Sequence, residues 1–499
     1  MFQKLSSSVG SGKTQAVLEY IRENLGHGFI YVAPTKQLCS EIYKRLLKEL
    51  HAHPEYVNYG PLCLITSDNV KPGAVYGKAL EACRNYNPDV PPIVIVTTKT
   101  FEFLLEQLLP HEKNRFEAFV DEGLPAIQQE SFSPGDKEQF LQYLQVDETG
   151  LASASPGKKE ILEWVARAPK KLKGQNLEHL AVSAFRSICE LIVSDNYDVF
   201  VTETDKSIEV LGLFSPEPLK HFKRITLIVA IFERTLLPIL WEKRHGIEFD
   251  DFPNQDGLFN AHTSKGALMT IWHVLREGDH PSKRNLSRNA ETTEINEKEE
   301  SKQIISKIAH YVEEHFAGRE YCWAANDSFR NEEKILSGVR MPVRSAGLDH
   351  FRQHDGVVSL ECINPQPWVK NRLQELLGLE DDYLYELWRF SNTYQTVGRC
   401  SLRVRENTQP IEVVVVSSSC AKLLAELFEG SKIAGQLGNL PRLTGLTPKE
   451  KAQNLHGISY TPADNSAYSK YKVRQINKGL EVLSKDIWFH EIRKKNVGE

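Results

Sequence analysis

The sequence predicts an α/β protein with two parallel-sheet units in tandem. A mainly helical insertion is expected in the first unit and a short C-terminal extension after the second. Three observations lead there. Short, continuous apolar runs rich in β-branched residues alternate with helical stretches over the first ~125 residues. That alternation breaks between about 126 and 220 and then resumes. A turn-rich stretch, FDDFPNQDGLF (249–259), separates it from a second series of apolar runs. Runs of this kind, buried on both faces, belong to parallel strands covered by helices.

In the first unit, FIYVAP (29–34), PLCLITSD (61–68), PPIVIVTT (91–98) and EAFVDE (117–122) read as strands, and KRITLIVAIF (223–232) as the strand after the insertion. In the second, the strands fall around LMTIWHVL, REYCWAAN, GVVSLECI and IEVVVVSS. The insertion contains KEQFLQYLQV, KKEILEWVARA and LEHLAVSAFRSICELIV, each with helical spacing, and a basic stretch, APKKLKGQ (168–175). The polar segment 281–302 reads as a loop and the tail from 435 as polar. The expected divisions are therefore 1–248, 249–434 and 435–499.

A chain of 499 residues is too long for a single core. Its 41% hydrophobic and 25% charged content is that of an ordinary globular protein. The net charge of −5 leaves any polyanion partner to a local basic groove. The longest apolar runs, ITLIVAIF and IEVVVV, are too short to cross a bilayer. With no signal-like leader and no C-x-x-C pair among eight cysteines, the expectation is a cytosolic protein with reduced, mostly buried thiols and no membrane partner. His51, His53 and the acidic 249–259 stretch read as a solvated helix end and a linker, not as metal ligands.

Three stretches bear on chemistry. SSVGSGKT (7–14) supplies what a phosphate loop needs. Gly10 and Gly12 allow close backbone approach, Ser11 lies between them, Lys13 brings charge and Thr14 a hydroxyl for a magnesium ion, while a helix starts directly after. Ser7 stands where the full pattern has glycine, at a position that needs only a small residue. FVDE delivers Asp121 and Glu122 to the carboxyl edge of a strand, where one carboxylate can serve a metal shell and the other a water. In TYQTVGRCSLRVR (393–405), Gln395, Arg399 and Arg403 recur every four residues and would share a face if the helix ran through them. A solvated basic helix face is the alternative there.

Taken together, SSVGSGKT, APTKQL (33–38), TTKT (97–100), DEGL (121–124), AGLD (346–349) and QTVGRCSLR (395–403) fall in the order of motifs I, Ia, Ib, II, V and VI. The chain in this respect resembles superfamily-2 DExx-box (DEAD/DEAH-like) helicases, and in general flavour the small helicases of phages and mobile elements. The resemblance spans roughly residues 1–125 and 220–430. It implies two RecA-like domains with ATP and Mg²⁺ between them and a nucleic acid, DNA favoured over RNA, lying across both in a bacterial or phage-infected cytosol.

By the same resemblance, Ser7, Gly10, Ser11, Gly12, Lys13 and Thr14 would bind the triphosphate, Thr14 and Asp121 the metal. Glu122 would be the catalytic base, with Gln395, Arg399 and Arg403 acting on the γ-phosphate. Gly347 and Asp349 would couple the second domain to the nucleotide. Pro34, Thr35, Lys36, Thr97, Thr98 and Ser345 would touch the nucleic-acid backbone. The insertion and the C-terminal extension are left as surfaces for a protein partner.

The sequence departs from the family in several places. At motif III the best candidate, TLIVAIF (226–232), has Val229 and Ile231 where hydroxyls are usual; LASAS (151–155) is the rival alignment. The arginines of motif VI are four apart instead of three, so the second finger stays open between Arg403 and Arg405. The upstream glutamine that reads adenine in DEAD-box proteins has no obvious equivalent, and no four-cysteine iron–sulfur cluster is matched. A duplex translocase that does not separate strands, and an inactive helicase-like scaffold, stand as the other readings.

Overall fold

A computed structural model describes residues 1–443 except 53–58, 72, 123, 133–143, 154–156, 168–185, 205–206, 254, 256, 289–302, 327–335, 343–349 and 441–442. Beyond 443 it describes Tyr468, Tyr471, Gln475 and Trp488. The strands of the first unit are β1 (Phe2–Ser6), β2 (Gly28–Ala33), β3 (Leu62–Ile65), β4 (Ile93–Thr97) and β5 (Phe116–Asp121). After an insertion carrying β6 (Ile127–Phe132), β7 (Gln145–Val146), β8 (Ala152–Ser153), β9 (Tyr197–Glu203) and β10 (Ile208–Phe214), the sheet is completed by β11 (Arg224–Val229) and β12 (Asp250–Asp251). The order β12-β1-β11-β5-β2-β4-β3 is parallel throughout.

The second unit holds β13 (Met269–His273), β14 (Cys322–Ala325), β15 (Val339–Arg340), β16 (Gly356–Leu360), β17 (Ile411–Val415) and β18 (Lys432–Gln436). They form a second all-parallel sheet in the order β15-β14-β16-β17-β13-β18. The tandem RecA-like arrangement expected from the sequence is thus the one observed.

Why these segments form parallel strands is visible in β2, where all six residues are buried. Ile30 and Val32 enter the core on one face, Phe29, Tyr31 and Ala33 the core on the other, as a period of two requires. In the second sheet β17 divides likewise, Val413 and Val415 to one side and Val414 to the other.

The insertion corrects one expectation. Its described residues include the helix Lys158–Arg167 and a helical run at 186–193, but also an antiparallel sheet in the order β6-β10-β9. Among its described residues the insertion is therefore mixed, with strands as well as helices, where the sequence predicts a mainly helical segment. Between β9 and β10 the Thr204 N–H donates to the Ser207 carbonyl at 2.9 Å. The rival LASAS segment lies here, with Ala152 and Ser153 in a two-strand ribbon. APKKLKGQ and nearly all of the C-terminal extension lie outside the described residues. The stretch 249–259, read as a linker, begins as the edge strand β12, and the Phe252 N–H donates to the Lys4 carbonyl at 2.9 Å.

The first core runs from one face of the first sheet through the insertion to Val369, Leu373, Leu384 and Leu387, which sit on helices of the second unit. At its centre is Trp241, fully buried on the helix Leu236–His245. Its ring meets Phe2 edge-on at 5.5 Å and stacks on Phe249 at 6.2 Å, while its indole N–H donates to the Phe214 carbonyl at 2.7 Å. Trp241→Ala removes these contacts and leaves a cavity; a loss of about 3–5 kcal/mol is expected. A denaturant midpoint unchanged from the parent would contradict this packing.

All eight cysteines are free, and Cys63 alone of them is partly exposed. Burial pushes the Cys83 thiol up to about 12. Among the described residues there is no cluster of three His, Cys, Asp or Glu side chains placed to hold a metal, and no helix is long and apolar enough to cross a membrane.

Candidate active site

Parallel α/β sheets present ligand sites at the carboxyl ends of their strands. Here β1, β11 and β5 are adjacent and end together, at Ser6, Val229 and Asp121. After β1 the chain turns through residues 7–12 into the helix Lys13–Glu23. Gly10 (φ +68°) and Gly12 (φ +96°) take left-handed conformations that favour glycine. Gly10 has a second requirement, because a Cβ there would lie 2.8 Å from the Arg403 Cα of the second domain.

The loop is tied to the second domain by hydrogen bonds. Ser8 Oγ donates to the Phe259 carbonyl (3.2 Å) and accepts from the Ala261 N–H (2.8 Å), while the Phe259 N–H donates to the Ser11 carbonyl (3.0 Å). The Val9 N–H donates to the Tyr394 hydroxyl (3.0 Å), which lies 2.8 Å from His262 Nε2. A tyrosine that spends its proton on the imidazole needs Nε2 unprotonated. Burial, helped by the Lys13 charge, accordingly holds His262 down at about 4.

Lys13 Nζ folds back onto the loop, donating to the carbonyls of Ser8 (2.7 Å) and Ser7 (3.0 Å). Desolvation lowers its pKa from 10.5 to about 8, with Asp121 and Glu122 opposing and Arg403 reinforcing the shift. Thr14 Oγ1 lies 3.5 Å from Asp121 Oδ2, and the Tyr31 hydroxyl donates to the same oxygen at 2.7 Å. Burial and the neighbouring Glu122 push Asp121 up to about 6, against the Tyr31 hydrogen bond and the Lys13 charge.

Glu122 comes next at φ +52°, a conformation costing a non-glycine residue on the order of 1–3 kcal/mol. It is fixed there by its N–H, which donates to the Ile228 carbonyl at 3.0 Å. Its carboxylate meets Arg399 across the domain boundary, Oε1 to Nη2 at 3.4 Å, and the Arg399 side chain is only 1% exposed. These groups line a cleft of about 220 Å³ with Lys13, Thr14 and Arg403.

The arginines reach it by a route unlike the one expected. The helix Asp381–Val397 stops before Arg399, and Arg403 sits on a 3₁₀ turn, Ser401–Arg403. They share no helix face. What brings them together is the turn at Gly398, where a Cβ would press on Val9 Cγ2 at 2.5 Å, and the Arg403 Nε–H bond to the Gly398 carbonyl at 2.6 Å. Gln395 remains on the helix and lines a separate cavity of about 470 Å³ behind the Glu122–Arg399 pair.

Of the expected nucleic-acid residues, Pro34 and Thr35 follow directly on β2, while Thr97 ends its neighbour β4 and Thr98 follows it, so the four fall on one edge. Thr35 Oγ1 accepts from the Leu38 N–H (3.1 Å), and Lys36 pairs with Asp68 at 2.5 Å. Ser345, Gly347 and Asp349 lie outside the described residues. The sequence reading missed Tyr31, His262, Tyr394 and Arg45. Of these, Arg45 lines the cleft and is held by Gln15 Oε1 at 3.0 Å. None stands in a local pattern, although a hydroxyl-bearing tyrosine in an otherwise apolar strand, GFIYVA, is a signal in hindsight.

The donor set suits a magnesium ion: one hydroxyl, Thr14 Oγ1, and one carboxylate oxygen, Asp121 Oδ2, both hard and 3.5 Å apart.

No protein-family model matches the sequence, and no curated protein matches it. Among solved structures, the chain is similar to Xpd4 from S. tokodaii, at 10% identity and a TM-score of 0.42 over 88% of this chain and 96% of that one. It is similar to Mss116p bound to ssRNA and AMP-PNP, at 11% identity and a TM-score of 0.37, over 96% of this chain and 79% of that one. It is also similar to the helicase Lhr of Mycobacterium smegmatis bound to ssDNA and AMP-PNP, at 12% identity and a TM-score of 0.38, over 91% and 48% of the two chains.

Proposed function

We propose that the protein is a nucleic-acid-stimulated ATPase of the helicase or translocase type, with ATP bound between its two domains and DNA as the first partner to test. The observation that carries this reading is the convergence in one cleft of the phosphate-loop residues Lys13 and Thr14, the Asp121–Glu122 pair, and Arg399 and Arg403 from the other domain. Each part of a phosphoryl transfer to water then has a residue.

The amides of the loop and of the first helical turn converge on the β- and γ-phosphates. Lys13 exchanges its bonds to the Ser7 and Ser8 carbonyls for phosphate oxygens. Thr14 and Asp121 would hold magnesium, which when bound neutralises charge on the phosphates. Glu122 accepts the proton of the attacking water, and its strained backbone fixes where that carboxylate points. Arg399, with Arg403, balances the charge that builds on the transferred group. Tyr31 keeps Asp121 oriented and ionised by donating to it.

Phosphate release measured with single-stranded DNA, duplex DNA and RNA in parallel tests the reading, followed by strand displacement. No release above background with any of them would leave only the scaffold reading. The apolar Val229 and Ile231 at the end of β11 favour a second reading, a translocase that moves on duplex without parting strands. It predicts stimulation by duplex DNA with no displacement.

Nucleotide affinity should depend on pH through Lys13. Its pKa of about 8 in the free protein means that the charged form needed for a polyphosphate is lost above that pH. Binding is therefore expected to be flat below pH 8 and to weaken by about tenfold per pH unit above it. A fluorescent ATP analogue titrated at pH 7, 8 and 9 in EDTA checks this, and Lys13→Arg should remove the dependence. Equal affinity of the unmodified protein at pH 7 and 9 would refute it.

A further inference from the structure

The cavity of about 470 Å³ that holds Gln395 is not used by the chemistry above. It backs onto the nucleotide cleft, and Glu122 and Arg399 line both. Its volume is within the range of about 300–1,000 Å³ typical of small-ligand pockets. The lining joins aliphatic side chains, Leu124, Leu227, Leu236 and Leu237, to polar ones, of which Ser391, Asn392, Gln395 and Thr396 come from the helix Asp381–Val397. There Gln395 Oε1 is buried with no hydrogen-bond partner, a cost the fold accepts without return in the free protein. Pro34 and Thr35, at the sheet edge expected to carry a nucleic-acid backbone, form part of the lining.

We propose that this cavity receives one unstacked nucleobase of a bound single strand, and that its occupation parts the Glu122–Arg399 pair. The occupant is argued from the lining: apolar walls suit a base taken out of its stack, and the unpartnered Gln395 Oε1 can accept a hydrogen bond from a base edge. The phosphate on either side of that base then falls at the β2–β4 edge, beside Thr35 and Thr98, whose Oγ1 is buried without a partner. The proposal rests on the ATPase reading for its consequence. In the free protein Arg399 engages the carboxylate that must take a proton from water. A base entering from behind draws on the same two side chains, and so links strand binding to hydrolysis where Val229 and Ile231 offer no hydroxyl to do so.

The full chain is tested with three 20-mers: oligo-dT, an abasic strand of the same phosphate count, and oligo-dT carrying one central 2-aminopurine. Ribo-strands run alongside show whether the sugar matters. The abasic strand is expected to bind within about threefold of oligo-dT yet to stimulate ATP turnover at least about tenfold less. The bound 2-aminopurine should be protected from acrylamide quenching. Ala126→Phe, which fills the cavity, should remove that protection and bring the ratio of stimulated to unstimulated turnover down to the abasic level. Equal stimulation by the abasic strand and oligo-dT, or a bound 2-aminopurine quenched as readily as the free strand, would overturn the proposal. A chain that turns over no ATP but protects the 2-aminopurine would overturn the ATPase reading and keep the base site.

Discussion

Replacing Lys13 with alanine is expected to lower ATP turnover by at least about 100-fold, the scale on which a single stabiliser of developing charge acts. Lys13 is suited to that part by its cost in the free protein. Its ammonium is desolvated and held by two backbone carbonyls that a phosphate would replace with charged oxygens. Because those carbonyls gain little from it and the desolvated cation opposes folding below pH 8, the variant should be as stable as the parent. Melting temperature and turnover read together separate the chemical effect from a structural one. An unchanged rate would remove the phosphate loop from the mechanism, and a lost rate with a lowered melting point would leave its role undecided between fold and site.

How far the site is legible in the sequence depends on how local each signal is. β2, β5 and β11 are legible because strands buried on both faces leave mostly apolar runs, and the glycines of the loop and Asp121–Glu122 stand at the ends of such runs. The insertion misleads for a related reason. The helical spacing of LEHLAVSAFRSICELIV draws the reading away from the two segments after it, YDVFVTE and IEVLGLF, which pair as β9 and β10. Arg399 and Arg403 do line the cleft, but on a different geometry, since helical spacing does not carry past Gly398, where the chain bends to admit Val9. Gln395, still on the helix, consequently points elsewhere. Contacts such as Tyr31 with Asp121, or Tyr394 with Val9 and His262, join residues 90 to 385 positions apart and leave no trace in any window of sequence.

Arg399→Ala is expected to have the largest effect of any change in the second domain, a loss in turnover on the order of 10³- to 10⁵-fold, with ATP affinity changed only a few-fold. The asymmetry comes from where the guanidinium lies. It is buried, it belongs to the domain opposite the phosphate loop, and in the free protein it pairs with Glu122 in the cleft it shares with Lys13. Its charge is therefore of use chiefly when the transferred group moves toward the water that Glu122 orients. Arg399→Lys should restore little, because a lysine cannot present two N–H groups in a plane to a carboxylate and then to a phosphate. Glu122→Gln, which keeps the shape but not the proton acceptor, should be as damaging alone. The double variant should then be no worse than either single one, since both act in the same step. Turnover above a tenth of the parent's in Arg399→Ala would mean that the pair across the domain boundary joins the domains without serving hydrolysis, and simple multiplication of the two losses would mean that the two side chains act independently and not as a pair.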